Sequence, residues 1–243
     1  MKGIILAAGM ASRLRPLTND TPKCLLKVGN RCLLERTIDA MMENDIRHIV
    51  FVTGYLNEKI ESFVKEHYPT LTTTFIYNKD YETTNNIYSL YLTRPETEGE
   101  EVLLMDSDIL CDAKVLTRVI TADAPNALAT NEHELGEEEI KVIVDDNYLV
   151  RELSKTCSIA DAIGESVGIE KMSSAYTSAL FPEMEQMIER EGLANVFYER
   201  AFERLIPQGH VFKSIITTDL FSIELDTVED FQQAQRLIPA ELF

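Results

Sequence analysis

Short unbroken apolar runs alternate with stretches of helical spacing over residues 1–110, and that alternation leaves few folds open. Residues 3–8 (GIILAA), 48–55 (HIVFVTGY), 72–78 (TTTFIYN) and 101–105 (EVLLM) read as strands, three of them apolar enough to be buried on both faces. Between them, residues 33–45 carry Leu34, Ile38, Met41 and Met42 at helical spacing, and residues 56–68 put Ile60, Phe63, Val64 and Tyr68 on one helical face. Residues 85–92 (NNIYSLYL) read as a short helix. Strand and helix in strict alternation make βαβ units, and right-handed crossovers turn these into a mostly parallel sheet with helices on both faces. The expected class is α/β.

After Pro125 the pattern changes. Residues 126–130, 140–146, 148–155 and 165–173 are four short strand-like segments with few helices between them. They are expected either to extend the sheet or to fold over its open end as a lid. Helices are expected at about 174–191 and 194–206. Residues 220–238 close the chain with a strand that leads into a helix N-capped near Thr227. No repeat, low-complexity tract or linker interrupts the 243 residues, so one domain is expected, with halves at 1–125 and 126–243.

Charge is distributed unevenly. The chain carries a net −18, yet residues 1–31 hold six Lys or Arg and a single acid, Asp20. The acidic balance argues against nucleic acid or an anionic membrane surface as a partner, because both select basic faces. The four cysteines form no CxxC pair and suit no zinc spacing, so reduced thiols and a cytoplasmic location are expected. The apolar run at residues 4–8 is too short for a signal peptide, and no run of 18 apolar residues exists to span a membrane.

Ligands on open parallel sheets sit beyond the carboxyl ends of the strands. Three features fall there: AAG after the first strand, DSD after the fourth, and ELDT after the last. The first is a loop whose backbone N–H groups suit phosphate, with Arg13 and Lys23 to add charge-assisted hydrogen bonds. Asp108 and Asp226 offer oxygen ligands for a hard cation. A phosphate cradle with cation-binding carboxylates describes a triphosphate–Mg²⁺ site, although neither GxxxxGK[ST] nor GxGxxG is present. Periodicity and charge alone reach a nucleotide-binding α/β protein.

The string Leu6-Ala7-Ala8-Gly9, Arg13, Leu14, Pro16-Leu17-Thr18, Pro22-Lys23 resembles the signature of the nucleotidyltransferase (nucleoside triphosphate pyrophosphorylase) family. The resemblance continues through LLERTID, VTGY, NNIYSLYL, LLMDSD, GESVGIEK and ELDTVED, nearly the whole chain, and NNIYSLYL is similar to the phosphocholine cytidylyltransferase-like branch. It implies a single-domain Rossmann-like nucleotidyltransferase fold with a β-rich acceptor-side insertion. It implies attack of an acceptor phosphate or phosphonate oxygen on the α-phosphorus of CTP, with pyrophosphate leaving and Mg²⁺ as cofactor. By motif, Leu6, Ala7, Ala8, Gly9, Asn85 and Asn86 should contact the nucleotide. Arg13 should stabilise pyrophosphate, Lys23 should reach the α-phosphate and the incoming oxygen, and Asp108 and Asp226 should bind the metal. Lys155 matches a second phosphate lysine.

On the acceptor side, Glu165 and Glu199 lie where they could pair with an ammonium group, and Tyr198 is an aromatic candidate beside Tyr88, Tyr91, Tyr176 and Phe197. A quaternary ammonium leans on aromatic faces, and the chain has no Trp. This favours a primary amine such as 2-aminoethylphosphonate or phosphoethanolamine over phosphocholine. A sugar- or inositol-phosphate nucleotidyltransferase is the second reading, and a non-catalytic nucleotide-sensing subunit the third. The intact Arg13, Lys23, Asp108 and Asp226 set speaks against the third. The assembly is left open, a homodimer included.

Overall fold

The computed structural model describes residues 1–137 and 139–242. The first half runs β1 (Lys2–Ala7), a two-strand ribbon of β2 (Lys27–Val28) and β3 (Arg31–Cys32), α1 (Leu33–Glu43), β4 (His48–Thr53), α2 (Asn57–His67), β5 (Thr72–Tyr77), α3 (Asn86–Leu92), the single turn α4 (Arg94–Thr97), β6 (Val102–Asp106), β7 (Ile109–Cys111) and α5 (Ala113–Ile120). The second half runs β8 (Ala127–Asn131), β9 (Lys141–Val144), β10 (Val150–Ser154), β11 (Gly164–Met172), α6 (Ser174–Glu185), α7 (Glu199–Leu205), β12 (Lys213–Ile216), β13 (Ser222–Glu224) and α8 (Val228–Leu237).

Strands β6, β1, β4 and β5 lie side by side and parallel, as the alternation of the first half requires. Beyond β6 the sheet continues through β11, which runs antiparallel to β6, β8 and β9; β10 extends it beyond β9, and β12 adds a parallel partner to β8. Second-half strands β8 to β12 therefore extend the sheet, while β13 pairs with β7 in a separate ribbon.

Alternate side chains of β1 face opposite layers, the period of a strand. Ile4 and Leu6 pack with Ile87 and Leu90 of α3, Leu180 of α6 and Phe202 of α7. Ile5 and Ala7 pack with Ile38 of α1, Ile60 of α2 and Val115 and Leu116 of α5. Both layers are buried, so β1 is apolar throughout. Each fully buried aliphatic side chain contributes about 1.5–3 kcal/mol.

Three local expectations change. Helix α5 follows β7, capped by Asp112, and eight residues are too few for the periodicity to stand out. Helix α6 passes at Gln186 into a π-helical turn ending at Arg190. Helix α7 starts only at Glu199. No helix among the described residues is long and apolar enough to cross a membrane.

Candidate active site

The loop after β1 is held from outside. Tyr55 donates its hydroxyl to the carbonyls of Thr18, at 3.1 Å, and Asn19, at 2.7 Å. Thr18 in turn donates to the Ala11 carbonyl at 2.9 Å, and Ala11 sits in the left-handed region at φ 46°. Behind the loop, Gly54 brings the turn after β4 so close that a Cβ there would lie 2.6 Å from the Ala8 carbonyl oxygen. Gly9 differs: a Cβ on it would meet nothing within 4 Å. Glycine at position 9 thus keeps space clear above the loop. Leu6, Ala7, Ala8, Gly9, Arg13 and Lys23 all line a cavity of about 590 Å³ at the carboxyl ends of the parallel strands.

Two strand ends bring carboxylates to the same cavity. Asp108 follows β6 in the turn that leads to β7. The ribbon pairs Ile109 with Glu224 in antiparallel register, and the Leu225 amide donates to the Asp108 carbonyl at 3.1 Å. That register places Asp226 beside Asp108. A reciprocal capping box between Thr227 and Asp230 fixes the start of α8, and the Asp226 amide also donates to Asp230. Oxygens of Asp108, Glu224 and Asp226 lie within 4.8 Å of one another.

Positive charge meets this cluster from the loop. The Lys23 ammonium donates to Asp108 at 2.9 Å and to Asp226 at 2.8 Å. Arg13, with 65 % of its side chain exposed, reaches Asp226 at 2.5 Å. Burial opposes the charge on Lys23, but Asp108 and Asp226 outweigh it and raise its pKa above the usual lysine range. Burial also works against ionised Asp226, yet Lys23 and Arg13 hold it below the usual carboxylate range. Glu224 has less help, and burial beside Asp108 and Asp226 pushes it up to about 8. The donor set fits a hard divalent cation on geometry: three convergent carboxylates, with Asp108 Oδ1 buried and without a hydrogen-bond partner.

The opposite wall is built by the second half of the sheet and the loop before α7. Glu139, Lys155, Glu165, Phe197 and Glu199 line it. Lys155 stands over the Phe197 ring, 4.7 Å from its centroid. Glu165 pairs with His133 at 2.9 Å; burial raises the Glu165 pKa and His133 offsets part of that. Glu199 is only 6 % exposed, and its Oε2 has no hydrogen-bond partner. Burial pushes Glu199 up to about 7, against the pull of Lys155. Beneath this wall Lys141, 1 % exposed, donates to the carbonyls of Glu137, Glu139 and Lys155.

Of the residues singled out from sequence, those assigned to the nucleotide and the metal line the cavity, as do Lys155, Glu165, Glu199 and Phe197, whereas Tyr88, Tyr91, Tyr176 and Tyr198 do not and pack in or against the core instead. Tyr198 is fully buried, and its hydroxyl donates to Asp106 at 3.0 Å, with Glu170 3.5 Å away. It packs on Phe202 and supports the cavity from below; the acceptor contact expected of it is corrected on that ground. Its burial follows from its place just before α7, where its ring turns into the core and its neighbours Phe197 and Glu199 turn out. Asn85 caps α3, and the Asn86 side-chain carbonyl accepts the Tyr198 amide at 2.9 Å, so both asparagines also tie elements together. Sequence reasoning missed Glu224, although it stands two residues before Asp226 in the same strand end, on the same face. It also missed His133 and Glu139, which no local pattern marks.

An α/β sheet with a basic loop at its carboxyl edge, facing a carboxylate cluster, is the class of protein that suits a nucleoside triphosphate and its cation. The chain belongs to the nucleotidyl transferase family, whose model matches residues 2–173. It is 28 % identical over 246 residues to the choline-phosphate cytidylyltransferase of Streptococcus pneumoniae, covering 99 % of this chain and 100 % of that one. It is 33 % identical over 107 residues to the 2-aminoethylphosphonate cytidylyltransferase of Lancefieldella rimae, covering 44 % of this chain and 42 % of that one. A solved structure of CTP:phosphocholine cytidylyltransferase from Streptococcus pneumoniae superposes with a TM-score of 0.80 at 22 % identity, over 98 % of this chain and 99 % of the other, which shows the shared fold.

Proposed function

We propose that this enzyme transfers CMP from CTP to a small phosphate or phosphonate that carries an ammonium group, releasing pyrophosphate. The observation that carries the reading is the meeting of Lys23, Arg13, Asp108 and Asp226 at one strand edge. That arrangement suits a phosphate chain and its cation, and the names of the full-length and partial relatives supply the cytidylyl group and the acceptor class.

An acceptor oxygen forms a bond to the α-phosphorus of CTP as the bond from that phosphorus to the β-phosphate oxygen breaks. The electron pair leaves with pyrophosphate, and no covalent bond to the protein is needed. Positioning and charge neutralisation do the work. Backbone groups of Ala7, Ala8 and Gly9 cradle the nucleotide, with Leu6 behind them. Asn85 and Asn86 carry amides that can both donate and accept, which suits the cytosine edge. Lys23 turns from its carboxylates to the α-phosphate, and Arg13, the more exposed cation, to the leaving pyrophosphate. Asp108 and Asp226, joined by Glu224, would hold a divalent cation such as Mg²⁺, which would supply charge neutralisation to the phosphates.

The far wall supplies the acceptor chemistry. Lys155 is the cation there for the phosphate or phosphonate. Glu139, Glu165 and Glu199 make a carboxylate-rich surface that favours an ammonium head group over a neutral polyol. The test is ³¹P NMR of the enzyme with Mg²⁺, 2-aminoethylphosphonate and each of CTP, UTP, ATP and GTP in turn. The reading expects pyrophosphate and a new phosphonate–phosphate anhydride (P–O–P) signal with CTP. Turnover with a purine nucleotide and none with CTP would overturn it.

A further inference from the structure

Lys155 stands in an unexpected place for a lysine assigned to a phosphate. Its ammonium lies over the face of Phe197, 4.7 Å from the ring centroid. Two residues beyond that ring in the chain, Glu199 turns a buried carboxylate oxygen without a hydrogen-bond partner to the same wall. Phe197 is 40 % exposed, unusual for so large an apolar ring, and it lines the cavity. An aromatic face with a carboxylate beside it is the composition that recognises an organic ammonium ion.

We infer that Phe197 and Glu199 form the subsite for the acceptor's ammonium head group, and that Lys155 fills this subsite as an internal placeholder cation until the acceptor displaces it. The inference rests on the proposed acceptor class and deepens it. A buried carboxylate without a hydrogen-bond partner is costly without a cation nearby. The side chain of Lys155 supplies one before the acceptor binds. An incoming ammonium takes the place over the ring beside the carboxylate, and the released Lys155 ammonium is then available to the phosphate or phosphonate of the same molecule. Head group and phosphate are thereby read together. An acceptor with a neutral head leaves Lys155 on Phe197 and gains no phosphate lysine. Lys141 holds the Lys155 backbone in place beneath the subsite, donating to its carbonyl at 2.8 Å.

The experiment separates head-group binding from catalysis by using a cation with no phosphate. Tetramethylammonium chloride is titrated into the wild-type enzyme, Lys155→Met, Lys155→Arg and the double variant Lys155→Met/Phe197→Leu, with binding followed by line broadening of the ligand proton signal at constant ionic strength. Thermal melts establish that each variant is folded. Lys155→Met should bind tetramethylammonium about 5-fold more tightly than wild type, since its own cation no longer competes. Lys155→Arg should bind as wild type does, and the added Phe197→Leu should abolish the gain. Equal affinity in wild type and Lys155→Met, or a gain that survives loss of the ring, would overturn the inference. Turnover of wild type with CTP and 2-aminoethylphosphonate, phosphocholine or glycerol phosphate keeps the two claims apart. Use of the ammonium acceptors with no gain in Lys155→Met removes only the placeholder. Use of glycerol phosphate alone removes the acceptor class beneath it.

Discussion

The Lys23 ammonium lies 2.8 Å from Oδ1 of Asp226, joining the loop after the first strand to the turn after the last. The same nitrogen reaches Asp108 at 2.9 Å. One lysine thus neutralises two carboxylates that belong to the proposed metal site. In the proposed reaction it gives up part of that contact to the phosphates when a cation and a nucleotide arrive.

Lys23→Met keeps most of the packed stem and removes the charge. It should lower kcat by roughly 10²-fold or more while the KM for CTP changes far less, as expected for a group that acts in the transition state. Steady-state kinetics at saturating acceptor measure both. A large rise in KM at unchanged kcat would make Lys23 an anchor only.

Asp226→Asn and Asp108→Asn each remove one oxygen charge from the proposed Mg²⁺ site. Activity should fall roughly 10²-fold or more in either, with the circular dichroism spectrum unchanged, because Lys23 keeps the remaining carboxylate as a partner. The deficit should shrink as Mg²⁺ is raised. Full activity in either variant would exclude that aspartate from the site.

Much of this edge of the molecule was legible in the sequence. The apolar runs of β1, β4 and β6 specify buried parallel strands, and a parallel sheet gathers the loops after those strands at one edge, so Gly9, Lys23 and Asp108 could be grouped without coordinates. The acceptor wall was less legible. Glu139, Lys155 and Glu165 are brought together by the pairing of β9, β10 and β11, with Glu199 added from the start of α7, and antiparallel register is decided by packing across the sheet and not by local spacing. Tyr198 shows the same limit at one residue: chain position put it beside Glu199, but only the packing of α7 shows that its ring points down to Phe202 and its hydroxyl to Asp106.

Glu199 gives the enzyme a pH-dependent stability. Its pKa is about 7 when folded against 4.5 for an ordinary glutamate, so its contribution is fully present below pH 4.5 and is lost as pH rises to 7. The loss amounts to about 3 kcal/mol at 1.36 kcal/mol per unit. Relative to wild type, Glu199→Gln should therefore gain stability steadily between pH 5 and pH 7.5, read from urea unfolding midpoints. Parallel profiles for the two proteins would contradict the assignment.

Lys141 should act on the acceptor and not on the nucleotide. Lys141→Met leaves the carbonyls of Glu137, Glu139 and Lys155 without their charged donor, at a cost of about 1–3 kcal/mol or more. The melting temperature should drop by several degrees, and the KM for the acceptor should rise while that for CTP stays within about 2-fold, since the cradle of β1 is untouched. A matching rise in both KM values would place Lys141 in general stability alone.

The most direct test of the acceptor reading is kcat/KM with CTP and Mg²⁺ across 2-aminoethylphosphonate, phosphoethanolamine, phosphocholine, inositol 1-phosphate and glucose 1-phosphate. With carboxylates and a single exposed ring on the acceptor wall, and no Trp in the chain, the ammonium acceptors should exceed the neutral-headed ones by at least ~10-fold, with the primary amines used at least as well as phosphocholine. A preference for inositol 1-phosphate or glucose 1-phosphate would contradict it.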